Sequence, residues 1–66
     1  MIKTDKLRGI IAENRLHQTD VSAALGISTK TFYLKMKKGI FSSDEIEKMI
    51  DLLHIENPAE IFFAKK

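Results

Sequence analysis

Apolar residues along this chain recur at helical spacing, and nowhere in the strict alternation of a strand. Leu7, Ile10 and Ile11 stand at i, i+3 and i+4, one face of an α-helix. The spacing predicts a first helix from about Asp5 to Arg15. Thr4 is its expected N-cap, and Asp5 lies in the first turn, where a carboxylate suits the helix dipole. Gly9 inside this helix weakens it by about 1 kcal/mol relative to alanine; a close helix contact there would explain the residue. A second helix is expected from about Gln18 to Leu25. Val21, Ala24 and Leu25 should face inward, and Ala23 and Ala24 are small enough for a neighbouring helix to come close. Gly26 stops it, since glycine is free to take positive φ. The third helix should begin after Ser28, a good N-cap, and run to Lys37 or Lys38. Phe32 and Met36 form its narrow buried stripe, and Gly39 ends it.

The fourth helix carries the clearest start signal. Ser42 and Glu45 have the spacing of a capping box, and Phe41 and Ile46 that of a hydrophobic staple. Ile46, Met49, Ile50 and Leu53 continue as a stripe, and the helix should stop near His54. A short fifth helix is expected with Asn57 as N-cap and Pro58 as first helical residue. Glu60 completes a second capping-box-like pattern, and Ile61 and Phe62 supply the packing. Ala64, Lys65 and Lys66 are expected to fray. The fold class expected is all-α: a compact five-helix domain.

Length and composition narrow this further. Sixty-six residues make one domain with a small core. Without cysteine, neither disulfides nor thiolate-bound zinc can staple it, so helix packing and good caps must hold it, with dimerisation as an optional further source. No apolar run approaches the roughly 20 residues that span a bilayer. The N-terminal residues lack the apolar stretch of a signal peptide. The expectation is a cytoplasmic protein with no membrane partner.

Charge adds a direction. The net charge is only +2, but Lys30, Lys35, Lys37 and Lys38 lie together with no acid between Asp20 and Asp44. From Ser42 to Glu60 the balance reverses, with Asp44, Glu45, Glu47, Asp51, Glu56 and Glu60 against Lys48. One basic face suits an anionic partner, although charge alone is equally consistent with two solvated faces. The run from Gln18 to Lys38 combines the two signals: a short helix, a glycine turn, then a lysine-rich helix. That is the pattern of a helix-turn-helix, formed here by the second and third helices. One helix braces against the DNA backbone and the other enters the major groove.

Gln18 through Lys37, followed by Phe41-Ser42-Ser43-Asp44-Glu45-Ile46-Glu47 and Ile61-Phe62-Phe63, resembles the phage Cro and lambda-repressor group of helix-turn-helix proteins, the XRE type. The resemblance covers nearly the whole chain and includes the spacing of five elements. It implies that Gln18, opening the bracing helix, hydrogen-bonds a phosphate and supports the recognition helix. Ser22 matches the small residue where the two helices cross. Leu25 and Ile27 match the apolar positions flanking the turn glycine, Gly26, and Phe32 matches the buried position of the recognition helix. Ser28, Thr29, Lys30 and Leu34 match positions that face base edges, and Tyr33 and Lys37 lie at the groove rim. The chain departs from the pattern at His17, where the family often has serine, and at Lys35, where the next buried residue is usual. Met36 is expected to take that buried position.

Chemistry supports these residues independently of the resemblance. The first turn of a recognition helix offers free amides and a positive dipole end. Ser28, Thr29 and Thr31 add hydroxyls that reach phosphates or bases. Lys30 can donate to guanine O6 or N7, and Leu34, one turn later, can touch a thymine methyl. Lys35, Lys37 and Lys38 are expected on phosphates, which position without reading sequence, and Tyr33 can donate its hydroxyl to a phosphate. Each has a plainer reading: Lys30 as a solvated lysine, Leu34 as core, Tyr33 packed on the domain, the threonines as helix-start residues.

Enzymatic sites are poorly represented. His17 and His54 are far apart in sequence, no phosphate-binding glycine loop is present, and no nucleophile has an evident base partner. No enzyme, cofactor, metal or small-molecule substrate is expected. The function expected is that of a Cro-like transcriptional repressor of phage or prophage origin. It would bind double-stranded DNA at a pseudo-palindromic operator as a homodimer, with residues about 28–38 in the major groove. No second domain like that of lambda-type repressors is expected after Lys66, an expectation that favours the Cro-like role. The dimer surface is expected near His54, Ile55, Asn57 and Pro58 or at Phe62 and Phe63, with Phe63 preferred, and dimerisation is expected to be weak without DNA. Two alternatives stay open: a protein-binding adaptor using the acidic fourth helix, and an antitoxin or excision factor.

Overall fold

The computed structural model describes residues 2–63, and these form an all-helical globule. Five helices follow one another: α1 Thr4–Glu13, α2 Gln18–Leu25, α3 Thr29–Lys38, α4 Ser43–Leu53 and α5 Pro58–Phe62. The expected fraying of Ala64, Lys65 and Lys66 lies outside the described residues. Among the described residues, no helix is long and apolar enough to cross a membrane.

Each of the first four helices is followed within two residues by a residue in the left-handed region. Gly26 (φ 74°) and Gly39 (φ 69°) take this conformation without a Cβ penalty. Arg15 (φ 60°) and His54 (φ 53°) do so despite their side chains. At Arg15 the reversal is held by the amides of Arg15 on Ala12 and of Leu16 on Ile11, the paired bonds of a Schellman motif. The first helix therefore stops at Glu13, two residues short of Arg15. Asn14 reinforces the stop, its amide nitrogen donating to the carbonyls of Ile10 (2.9 Å) and of Leu53 on α4 (3.2 Å).

At its start, α1 begins one residue earlier than expected. Thr4 is the first helical residue, and Lys3 precedes it without a side-chain cap. The cause is tertiary: the Lys3 amide bonds the Ile61 carbonyl of α5 at 2.8 Å, and Ile2 is buried. This fixes the entry of the chain. A Cβ added to Gly9 would meet no atom within 4 Å, so no close helix contact accounts for the glycine.

The core is one cluster drawn from every helix. Leu7 and Ile11 of α1, Val21 and Leu25 of α2, Phe32 and Met36 of α3, Met49 and Leu53 of α4, and Ile61 and Phe62 of α5 are all buried. Burying a large apolar side chain of this kind contributes about 1.5–3 kcal/mol. Phe41 closes the α3–α4 corner, its ring 5.7 Å from that of Phe32. The capping box of α4 forms as expected. Ser42 Oγ accepts the Glu45 amide (3.2 Å), and Glu45 Oε1 accepts the Ser42 amide (2.8 Å). At α5, Asn57 donates to the Glu60 side chain at 3.1 Å and makes no side-chain bond to the helix amides.

Two packing expectations change. Ala24 is exposed, as is Ala23, whereas Ser22 is buried. The inward face of α2 is Val21, Ser22 and Leu25 because α3 packs against the Ser22 side. The small residue that lets the helices approach is therefore Ser22. The Phe62–Phe63 pair also separates: Phe62 is 3% exposed and Phe63 is 64% exposed. Phe62 is core, as is Ile55, so neither offers a dimer surface.

Candidate nucleic-acid interface

The segment from Gln18 to Lys38 folds as helix, three-residue turn, helix. Asp20 helps to start α2: its carboxylate accepts the His17 amide at 2.7 Å, which compensates for the missing serine cap. The turn is Gly26, Ile27 and Ser28. Gly26 and Ile27 donate their amides back to Ala23 and Ser22, while the Ile27 side chain packs on the core. Ser28 then caps α3, its Oγ accepting the Thr31 amide at 3.1 Å.

The α2–α3 crossing is joined by a polar contact. Ser22 Oγ donates to the Thr19 carbonyl at 2.9 Å and lies 3.4 Å from Thr29 Oγ1. With Val21 and Phe32 at 0% exposure beneath it, α3 has a fixed orientation on α2. Its outward face follows from that orientation. Lys30, Leu34 and Lys37 are spaced i, i+4, i+7 and share the side opposite Phe32 and Met36, with Lys38 beside them. All four are exposed, Leu34 at 49%. Tyr33, on one flank, is 50% exposed, its ring 6.5 Å from Phe32. Leu34 is therefore not a core residue, and Tyr33 packs only in part.

The hydroxyls at the start of α3 are more engaged than sequence reasoning supposed. Ser28 donates to Thr31 Oγ1 at 2.9 Å, and Thr29 faces Ser22. These groups hold the helix start, and what they leave free at the positive dipole end is the first-turn amides of Thr29 and Lys30. Gln18, half-buried, opens α2.

Lys35 departs from its expected place. It does not stand free for a phosphate: its Nζ lies 3.1 Å from Glu45 Oε1 of α4. Lys35 sits on the flank of α3 opposite Tyr33, where α4 begins, and the side chains are only 31% and 13% exposed. Burial would raise the Glu45 pKa, but the bonds from Ser42 and Lys35 together with the Lys35 charge outweigh it and hold the carboxyl below its ordinary value. In the sequence, Glu45 reads as a cap alone. The available signal was that Lys35 falls three residues after buried Phe32, too close to the core to be fully solvated. Among the described residues, the other ion pairs are Lys6–Glu60 and Arg8–Asp5. Neither involves Lys30, Lys37 or Lys38.

A concave surface lies elsewhere, an open groove of about 630 Å³ between α1 and the α4–α5 junction. Ile10, Leu53, Ile55 and Ile61 line it, with Glu13, Glu56 and Glu60 also contributing and no residue of α2 or α3. Among the described residues, no group of three or more histidines, aspartates or glutamates is placed to hold a metal ion. Compared with known protein families, with curated proteins and with solved structures, the chain matches none.

Proposed function

We propose that this chain is a sequence-specific DNA-binding transcriptional regulator, acting as a Cro-like repressor with α3 in the major groove. One observation carries the reading. The outward face of α3 presents Lys30, Leu34, Lys37 and Lys38, exposed and outside every ion pair among the described residues, on a helix oriented by α2. A lysine and a leucine one turn apart suit a guanine edge and a thymine methyl. The flanking lysines suit phosphates, and Gln18 at the start of α2 suits another. No catalytic chemistry is needed for this role.

A single helix reads only a few base pairs, so we propose that two copies bind half-sites about 34–36 Å apart. Phe63, at 64% exposure, is a large apolar side chain suited to the contact between them, and such a small contact suits a dimer completed on DNA.

Selection of bound duplexes from a random pool, at two salt concentrations, tests the reading. An enriched inverted repeat with half-sites about one turn apart is the expected result. Weak binding with no enrichment, vanishing at moderate salt, would leave only charge attraction. It would replace the regulator with a protein-binding adaptor.

A further inference from the structure

Lysines on a DNA-facing helix are not equivalent if one of them is already held by the protein. Lys35 is such a lysine. Its partner oxygen, Glu45 Oε1, accepts both Lys35 Nζ at 3.1 Å and the Ser42 amide at 2.8 Å. The Glu45 amide is in turn bonded to Ser42 Oγ at 3.2 Å. The carboxylate is thus fixed by the start of α4 and cannot follow Lys35 outward. The two surface pairs differ: Lys6–Glu60 is 49% and 56% exposed, Arg8–Asp5 48% and 97%, the kind of exposed pair worth little. Glu45 is partly buried, its side chain 13% exposed and that of Lys35 31%, and its carboxylate would lose its cation if Lys35 moved to a phosphate. Losing the cation of a partly shielded pair costs more than losing that of an exposed one, whereas Lys30, Lys37 and Lys38 have no such attachment among the described residues.

We propose that Glu45 is a positioning residue for the DNA-binding face: it holds Lys35 as a brace between α3 and α4 and withholds it from the phosphate backbone. The inference builds on the DNA-binding reading above and sets the number of phosphates each protomer neutralises. By doing so it limits sequence-independent binding, since each neutralised phosphate adds affinity for any duplex and about −0.9 to the slope of log K against log salt.

Four proteins decide it: the natural chain, Lys35→Met, Glu45→Gln and the double variant. Each is titrated with a mixed-sequence duplex of about 20 base pairs over a range of salt, where phosphate contacts supply the binding. Glutamine at position 45 keeps an oxygen for the Ser42 amide, so α4 stays capped, and thermal unfolding checks that it does. Lys35→Met should leave the slope unchanged. Glu45→Gln should release Lys35 and steepen the slope by about 0.9 per bound protomer, and the double variant should return to the natural slope. A flatter slope in Lys35→Met would make Lys35 an ordinary phosphate contact and overturn the proposal, even if Glu45→Gln failed to fold. An unchanged slope in Glu45→Gln would overturn it too. So would a steeper slope that survives in the double variant, because loss of a negative charge would then suffice. If none of the four binds DNA at low salt, the DNA-binding reading falls and takes this inference with it; binding without the expected slopes removes this inference alone.

Discussion

Helices α3 and α4 are built alike and charged in opposite ways. Each starts at a serine whose hydroxyl accepts an amide three residues on, Ser28 from Thr31 and Ser42 from Glu45. Each buries two residues, Phe32 and Met36 or Met49 and Leu53, and each stops at a left-handed residue, Gly39 or His54. Yet α3 carries four lysines and no acid, whereas α4 has Asp44 and Glu45 in its first turn and no basic residue in its last. Three of the α3 lysines lie in its last turn, where cations offset the helix dipole, and the acids of α4 do the same at the opposite end. Helix stability alone thus accounts for part of the charge asymmetry. What it does not account for is Lys30 in the first turn of α3, at the unfavourable end of the dipole, beside an exposed leucine. This contrast separates a helix whose charges serve the fold from one that also keeps an exposed basic and apolar face, the face proposed to meet DNA.

The largest effect that could break the comparison is at the two faces of α3. Phe32→Ala should destabilise the domain by about 3–5 kcal/mol, measured by denaturant unfolding. Leu34→Ala, two residues away and half exposed, should stay within about 0.5 kcal/mol while weakening operator binding. Comparable losses of stability would mean that Leu34 is core and that α3 has no free apolar face. Next in size, Lys30→Ala should cost on the order of 1–3 kcal/mol in operator binding and relax preference at one base pair. An equal loss on every sequence would assign Lys30 to a phosphate instead. The shared caps should respond alike: Ser28→Ala and Ser42→Ala each remove an N-cap acceptor worth roughly 1 kcal/mol. A clearly larger cost at Ser42 would break the likeness and show that α4 depends more on its start than α3 does. The smallest effect is at exposed Phe63. Phe63→Ala should change thermal stability little, within about 0.5 kcal/mol, and lower dimer affinity in sedimentation. A collapse of stability would make Phe63 core.

The five helices were legible because their signals are local. The stripe of Ile46, Met49, Ile50 and Leu53, the Ser42–Glu45 box, the glycines after Leu25 and Lys38 and the proline at position 58 each act within one or two turns, so α2 and α4 emerge with the expected starts and ends. The misreadings occurred where a distant contact outweighed a local preference. Thr4 yielded the cap position because Lys3 is bonded to Ile61. The first helix stopped early because Arg15 took a conformation that local rules reserve for glycine, with Asn14 tied to Leu53. Ala24 turned outward because α3 packs on the other side of α2, at Ser22, the position that the resemblance had marked for the crossing.

By itself, the sequence determined that this chain would be helical, where its helices would lie, and that one of them would be all lysine in its charge. Periodicity, capping and glycine stops act over distances that a linear reading spans. Only the tertiary structure decided which lysines are free. Lys35 and Glu45 are ten residues apart and meet only because the Phe32–Phe41 contact folds the start of α4 back on the flank of α3. Such a pairing depends on the angle between two helices, and that angle comes from packing of the whole core rather than from any stretch of sequence.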